Sequence, residues 1–262
     1  MGRLTTRLRI PVLTEKPKSV KEVLFPAHLF GVALSRMVQL DMQANFLSMV
    51  VLAVKAITQI HLQKKDDLPA LCFWLSNAIE LRSVVFSLQC IDKSGAEVPP
   101  SKGGAKILAD LGELITDIFQ MVHQKIKQSV LKIVPQAILM HDSTAAAASG
   151  LSRFLRGTGV TPQHLAQQLS DIKHTVTSYC LDAHTTTYLF SFVLYTIGTE
   201  ALNNLFLKKE LCVPHRGVSI RYNVSVLEEW CQREGLSELT LHFRKIGKTN
   251  KTAKKPRRTM AN

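Results

Sequence analysis

Seven stretches of this sequence space their apolar residues three and four positions apart, and no convincing set of alternating strands lies between them. In Ala27–Leu40 the pattern runs through Leu29, Phe30, Ala33, Leu34, Met37 and Val38. In Phe46–Leu62 it runs through Leu47, Val50, Val51, Val54, Ile57 and Ile60, and in Leu68–Leu88 through Leu71, Leu75, Ala78, Leu81 and Val85. Ala105–Leu139 reads as the longest helix, with Leu108, Leu111, Ile115, Ile118, Val122, Ile126 and Val130 on one face. Pro135 should end or kink it, because proline removes a helical donor and clashes with the preceding turn. Pro162–Cys180 starts with Thr161 as its expected N-cap and Pro162 at the first helical position. Tyr188–Leu207 is apolar nearly all round, the mark of a central helix. Val224–Cys231 is a last helix, ended near Gly235. The expected fold is all-α, an array of packed helical bundles.

Composition divides this array. The formal net charge is +13, yet eight Lys or Arg fall in Arg244–Arg258 with no acid, and six basic against two acidic residues fall before Val23. The body is close to neutral and both ends are basic. The expected divisions are an irregular basic lead-in over 1–24 and a helical subdomain over 25–140. A flexible linker over 141–160, a second helical core over 161–243 and a disordered basic tail over 244–262 follow. Asp92–Gly104 and Val213–Ile220 carry the Pro and Gly of turn regions. Phe46–Ile60 and Tyr188–Leu207 are the most membrane-like runs. The first is short and contains Lys55; the second contains Glu200, Asn203 and Asn204, so both read as buried helices. Cys72, Cys90, Cys180, Cys212 and Cys231 show no CxxC spacing and read as reduced thiols. Pro11 and Lys16 interrupt the start before any apolar stretch, which argues against a secretory signal.

A screen for chemistry is mostly negative. No GxxxxGK[ST] loop, GxGxxG turn, HExxH helix or GxSxG elbow occurs. His141, Asp142 and Ser143 are triad residue types, but sequence neighbours do not converge as a triad must. His174 and His184 flank Cys180 without sharing one helical face at metal-ligand spacing. No catalytic residue, metal, cofactor or small-molecule substrate is expected. Asn203 and Asn204 stand out, since amides in an apolar helix are costly unless bonded. They are expected to tie the central helix to neighbouring backbone, with Asn204 one turn from Glu200.

The segment from Glu200 to Gly235 carries a resemblance. Leu202-Asn203-Asn204-Leu205 is followed by Lys209-Glu210-Leu211-Cys212, then by Arg221-Tyr222-Asn223-Val224-Ser225 and by Leu227-Glu228-Glu229-Trp230. Four blocks in this order and spacing resemble the dilute (DIL) domain of class V myosin tails. Phe25-Pro26-Ala27-His28 and Phe73-Trp74-Leu75-Ser76-Asn77 agree more weakly with earlier parts of the same globular tail.

This resemblance implies an α-helical tail that binds protein adaptors or Rab-type GTPases on vesicles, linked to actin-based transport and without catalysis. It implies a cytoplasmic, cytoskeleton- or vesicle-associated setting, and admits a myosin heavy chain as a partner. A dilute domain in a Ras-type GTPase-linked adhesion or cytoskeletal scaffold is the alternative. The helices that follow the Glu-Glu-Trp block in the family are expected to be missing, with the basic end in their place. Arg221 is expected to bond backbone or an acid, and Trp230 to anchor the core. Asn203, Asn204, Lys209, Cys212, Arg221, Tyr222, Asn223, Glu228, Glu229 and Trp230 are thus expected to be fold determinants rather than a binding site. The basic tail, with Lys254-Lys255-Pro256-Arg257-Arg258, is suited to anionic lipid or nucleic acid, or else is a solubilising end.

Overall fold

The computed structural model describes residues 19–92, 94–142, 159–208, 211, 213–243 and 246, with Pro214 and His215 described in their backbone alone. The linker expected over 141–160 lies outside these residues except at its two ends, and the basic tail does so except at Ile246. Helices carry the described residues, and the one β feature among them is an isolated bridge between Ile91 and Glu97. The chain divides into two compact units, residues 1–125 with 174–183, and residues 126–173 with 184–262. That division differs from the expected split around 141–160, because neither unit is continuous in sequence.

The first unit opens with α1 (Val20–Val23), where Ser19 Oγ accepts the Glu22 amide at 3.3 Å. The lead-in is therefore helical at its end, and Val23 is fully buried. Pro26 sits in the first turn of α2 (Phe25–Gln39), where a residue without an N–H is tolerated. Asp41, at φ 56°, turns the chain into α3 (Gln43–Gln63); aspartate tolerates this left-handed conformation better than most residues. Asp67 caps α4 (Leu68–Cys90), its Oδ1 accepting the Ala70 amide at 3.0 Å. Every residue from Ala70 to Ala78 is buried, so α4 is the hub, and α2 and α3 pack on it. By length and composition α3 and α4 could each cross a membrane. The start of α5 (Lys102–Leu131) comes so close to its neighbours that a Cβ on Gly103 would sit 2.8 Å from Leu47 Cδ1. Cys180 and Tyr179 join this unit because Ser76 Oγ donates to the Tyr179 carbonyl at 2.6 Å and the Phe73 and Tyr179 rings meet edge to face at 6.4 Å.

In the second unit, the long helix expected to reach Leu139 ends as an α-helix at Leu131. Pro135–Met140 instead forms a π-helical turn closed by the His141 amide on the Gln136 carbonyl at 2.9 Å, so the proline redirects the chain. Thr161 Oγ1 accepts the His164 amide at 3.2 Å and opens α6 (Pro162–Ser178). The apolar α7 (Ala183–Leu207) follows.

α8 (Pro214–Arg233) is a correction: Val213–Ile220 is no turn region, since Pro214 occupies the first helical turn and Gly217 continues the helix. Helix α8 packs on the π turn and on a 3-10 turn, Ser237–Phe243. It ends at Gly235 (φ 73°), with Leu236 N–H on the Cys231 carbonyl at 2.7 Å and Gly235 N–H on Gln232 at 3.3 Å, a Schellman closure. Beyond Phe243, Ile246 is helical and fully buried.

Candidate functional site

Unit 1 concentrates its buried polar groups in the Phe73-Trp74-Leu75-Ser76-Asn77 block. Asn77 Nδ2 donates to the carbonyls of Val23 (2.9 Å) and Phe73 (2.8 Å), and Asn77 Oδ1 accepts the Ala27 amide at 3.0 Å. One amide side chain thus satisfies the backbone where α1 gives way to α2 and fixes it to α4. Sequence reasoning quoted this block but assigned Asn77 no role. The signal was present, since a buried amide within Leu71–Leu81 must find partners.

Unit 2 uses Asn223 in the same way. Its Nδ2 donates to Ile138 (3.0 Å) and His141 (2.9 Å), carbonyls of the π turn and its end. Asn223 Oδ1 is buried and finds no hydrogen-bond partner among the described residues. Arg216 Nη1 takes the Met140 carbonyl at 2.9 Å, and Ser219 Oγ donates to Asp142 Oδ1 at 3.0 Å. The backbone contact expected of Arg221 is therefore made by Arg216, while Arg221 and Tyr222 are exposed. These positions sit on different faces of α8, which the signature alone could not reveal.

Trp230 is fully buried, with Nε1 donating to Ser170 Oγ at 2.8 Å and its ring 5.8 Å from that of Phe190. Ser170 Oγ also reaches Glu234 Oε1 at 3.4 Å, and Lys173 Nζ bonds Glu234 through its carbonyl (2.7 Å) and Oε2 (2.9 Å). One turn of α6 therefore holds the end of α8. Glu228 is half-buried and Glu229 exposed. Burial, with Glu228 nearby, pushes the Cys231 thiol up to about 12; burial, with Asp67, does the same for Cys72. Both thiols are protonated near neutral pH.

The expectation for the paired asparagines needs correction. Asn203 is exposed, and Asn204 Nδ2 bonds Glu200 within its own helix, to Oε1 at 2.8 Å and to the carbonyl at 3.0 Å. Among the described residues, neither amide bonds a neighbouring element. Lys209 and Cys212 lie outside the described residues.

Ring nitrogens are few in the interior. His61 is buried with Nδ1 3.1 Å from the Ile57 carbonyl, and burial lowers its pKa despite that bond. His242 Nε2 lies 3.2 Å from Ser191 Oγ, and burial lowers its pKa too. Among the described residues, no three His, Cys, Asp or Glu side chains gather as metal ligands do.

Of the signature side chains, Asn223 and Trp230 hold helices together, whereas Asn203, Arg221, Tyr222 and Glu229 face solvent. A groove of about 610 Å³ in unit 1 runs along α2 from His28 to Gln39, with Val84 of α4 on its wall. Gly31 is buried against α4, where a Cβ would meet Val84 Cγ1 at 3.4 Å.

Comparison with known proteins places this geometry in a family context. Residues 188–254 match the model of the DIL domain. Unconventional myosin-Va of Rattus norvegicus is 23% identical over 254 residues, covering 86% of this chain and 13% of the myosin. The chain therefore spans a small fraction of the curated relatives it matches. The solved yeast myosin 5 cargo binding domain superposes with a TM-score of 0.76 at 19% identity, covering 99% of this chain and 68% of that one. Myo2-GTD in complex with Smy1 superposes with a TM-score of 0.74 at 19% identity, covering 97% and 67%. Residues 188–254 therefore match the DIL domain, and the chain has the all-α fold seen in the myosin V globular tail.

Proposed function

We propose that this chain is a non-catalytic module that binds protein adaptors and serves actin-based transport of vesicles or organelles. The observation that carries this reading is the likeness to a globular tail solved in complex with another protein, Smy1. The roles of the signature residues support it: Asn223 and Trp230 are spent on the interior, so recognition falls to the outside of the helices. Rab-type GTPases and a myosin heavy chain are the further partners this reading admits, in a cytoplasmic setting on cytoskeleton or vesicles. The test is affinity capture with the purified full chain as bait, against purified vesicle adaptors, GTP-loaded Rab proteins and junctional scaffold proteins. Saturable binding of an adaptor or Rab protein is the expected result. Binding confined to junctional proteins would overturn the transport reading in favour of an adhesion scaffold.

A further inference from the structure

Helix α7 is apolar on two opposite faces, and one of them lies in the interior. Phe190, Val193, Leu194, Ile197 and Ala201 are buried there. On the other side Tyr188 is 53% exposed, Phe192 38%, Tyr195 58% and Phe206 70%, and half-buried Thr199 and Leu202 complete the line. The six positions step by four, three, four, three and four residues, the spacing of a coiled-coil seam. At helical rise this seam is about 27 Å long. Three of its rings are held in place: Tyr188 and Phe192 meet edge to face at 4.8 Å, and Tyr195 meets the His242 ring at 5.9 Å. A surface ordered in advance loses less entropy when it is covered.

The order of steps reads the same from either end. Two copies of α7 laid antiparallel therefore meet in register along the whole seam. Tyr195 falls opposite Thr199 of the second copy, Phe192 opposite Leu202, and Tyr188 opposite Phe206. Two of these layers set a ring against a smaller side chain, which is how facing layers interdigitate. The third is an aromatic pair. Charge agrees with this arrangement. The six positions are uncharged, as are Ser191, Thr196 and Asn203 beside them, so two copies do not repel along the seam. Asp182 precedes α7 and Lys208 follows it, so antiparallel copies bring opposite charges towards each other at both ends. The exposed parts of the four rings and of Leu207 amount to about 550 Å² per copy, hence about 1,100 Å² in a pair, just above what a specific interface needs. The basic end of the chain is unsuited to cover this face, because beyond Ile246 its one large apolar side chain is Met260.

We infer that α7 pairs antiparallel with α7 of a second copy of this chain, through the seam from Tyr188 to Phe206. The two-fold axis crosses the seam midway between Tyr195 and Thr199. An area this modest makes a pair that forms and parts with protein concentration. The inference goes beyond the adaptor-binding reading and does not depend on it.

The test is analytical ultracentrifugation of the full chain between about 1 and about 100 μM. The wild type should pass from monomer to dimer over this range. Tyr195→Glu and Thr199→Lys, each placing a charge in the seam, should each weaken the dimer about tenfold or more. The double variant Tyr195→Glu/Thr199→Lys sets each new carboxylate against the new ammonium of the other copy, and should recover the dimer to within about threefold of wild type. Misfolding cannot produce that recovery, and neither can a parallel pair, which sets like charges together. Phe206→Glu, on the most exposed ring, should weaken the dimer with the melting temperature unchanged. A wild type that stays monomeric throughout overturns the inference. So does a dimer indifferent to both Tyr195→Glu and Phe206→Glu, or a double variant as weak as the single ones. A monomeric wild type that loses adaptor capture on Phe206→Glu would assign this face to the adaptor instead, sinking the self-pairing while leaving the module reading in place.

Discussion

Each unit fastens its helices with one buried asparagine, but the two are satisfied differently. Asn77 uses both donors and its acceptor, on Val23, Phe73 and Ala27. Asn223 uses its donors on Ile138 and His141 and leaves Oδ1 without a partner. An unsatisfied buried acceptor costs desolvation energy that a satisfied one recovers. The second unit also carries an aromatic anchor, Trp230, clamped through Ser170 and packed near Phe190. The asparagine lock is fully closed in the first unit and left one acceptor short in the second.

The largest test of this contrast is Trp230→Ala. Losing a fully buried indole and leaving a cavity should destabilise the second unit by about 4 kcal/mol, read as a fall in denaturant midpoint. Trp230→Phe keeps most of the volume and should be milder. Next comes Asn77→Leu, which strands two carbonyls and an amide in the interior and should cost about 3 kcal/mol, with faster hydrogen exchange at Ala27. Asn223→Leu strands two carbonyls but also removes an orphaned acceptor, so its effect should be about 2 kcal/mol. If Asn223→Leu proves more damaging than Asn77→Leu, the contrast between the two locks is wrong.

The smallest expected effect is on pH. Burial lowers the pKa of His61 in the first unit and of His242 in the second below the ordinary 6.5. The unfolded chain therefore binds protons more readily than the folded one as pH falls. Stability from the neutral rings is fully present above 6.5 and is lost as pH drops through that value towards the folded pKa. Melting temperature should fall between about pH 7.5 and pH 5.5. His61→Gln and His242→Gln should each flatten that dependence; an unchanged slope in both would show that neither ring governs it.

Helix periodicity made most of the architecture readable before any coordinates. The apolar face of Leu68–Leu88 and the proline-led start at Pro162 appear where the pattern put them. Side-chain roles were less readable, because an amide's worth depends on what faces it. Asn203 and Asn204 looked demanding within an apolar run, yet Asn203 faces solvent and Asn204 turns back to Glu200. Asn77, in an equally apolar run, is the one enclosed. Nor does a motif reveal helical phase: Arg216 reaches the π turn and Arg221, five residues on, points away into solvent. Gly217 suggested a turn because glycine usually breaks helices, but here α8 packs on the π turn and the helix persists.

The main chain itself sets one spacing in the second unit. A Cβ on Gly198 of α7 would lie 2.6 Å from the His242 carbonyl oxygen, a backbone atom that cannot rotate aside as a side chain would. Only hydrogen fits between them. Substitution here has no graded intermediate: even alanine, the smallest step available, forces α7 and the 3-10 turn apart, along with the Ser191–His242 and Tyr195–His242 contacts that depend on their closeness. Variation at this seam is therefore all or none, whereas a side-chain seam could drift one methyl group at a time.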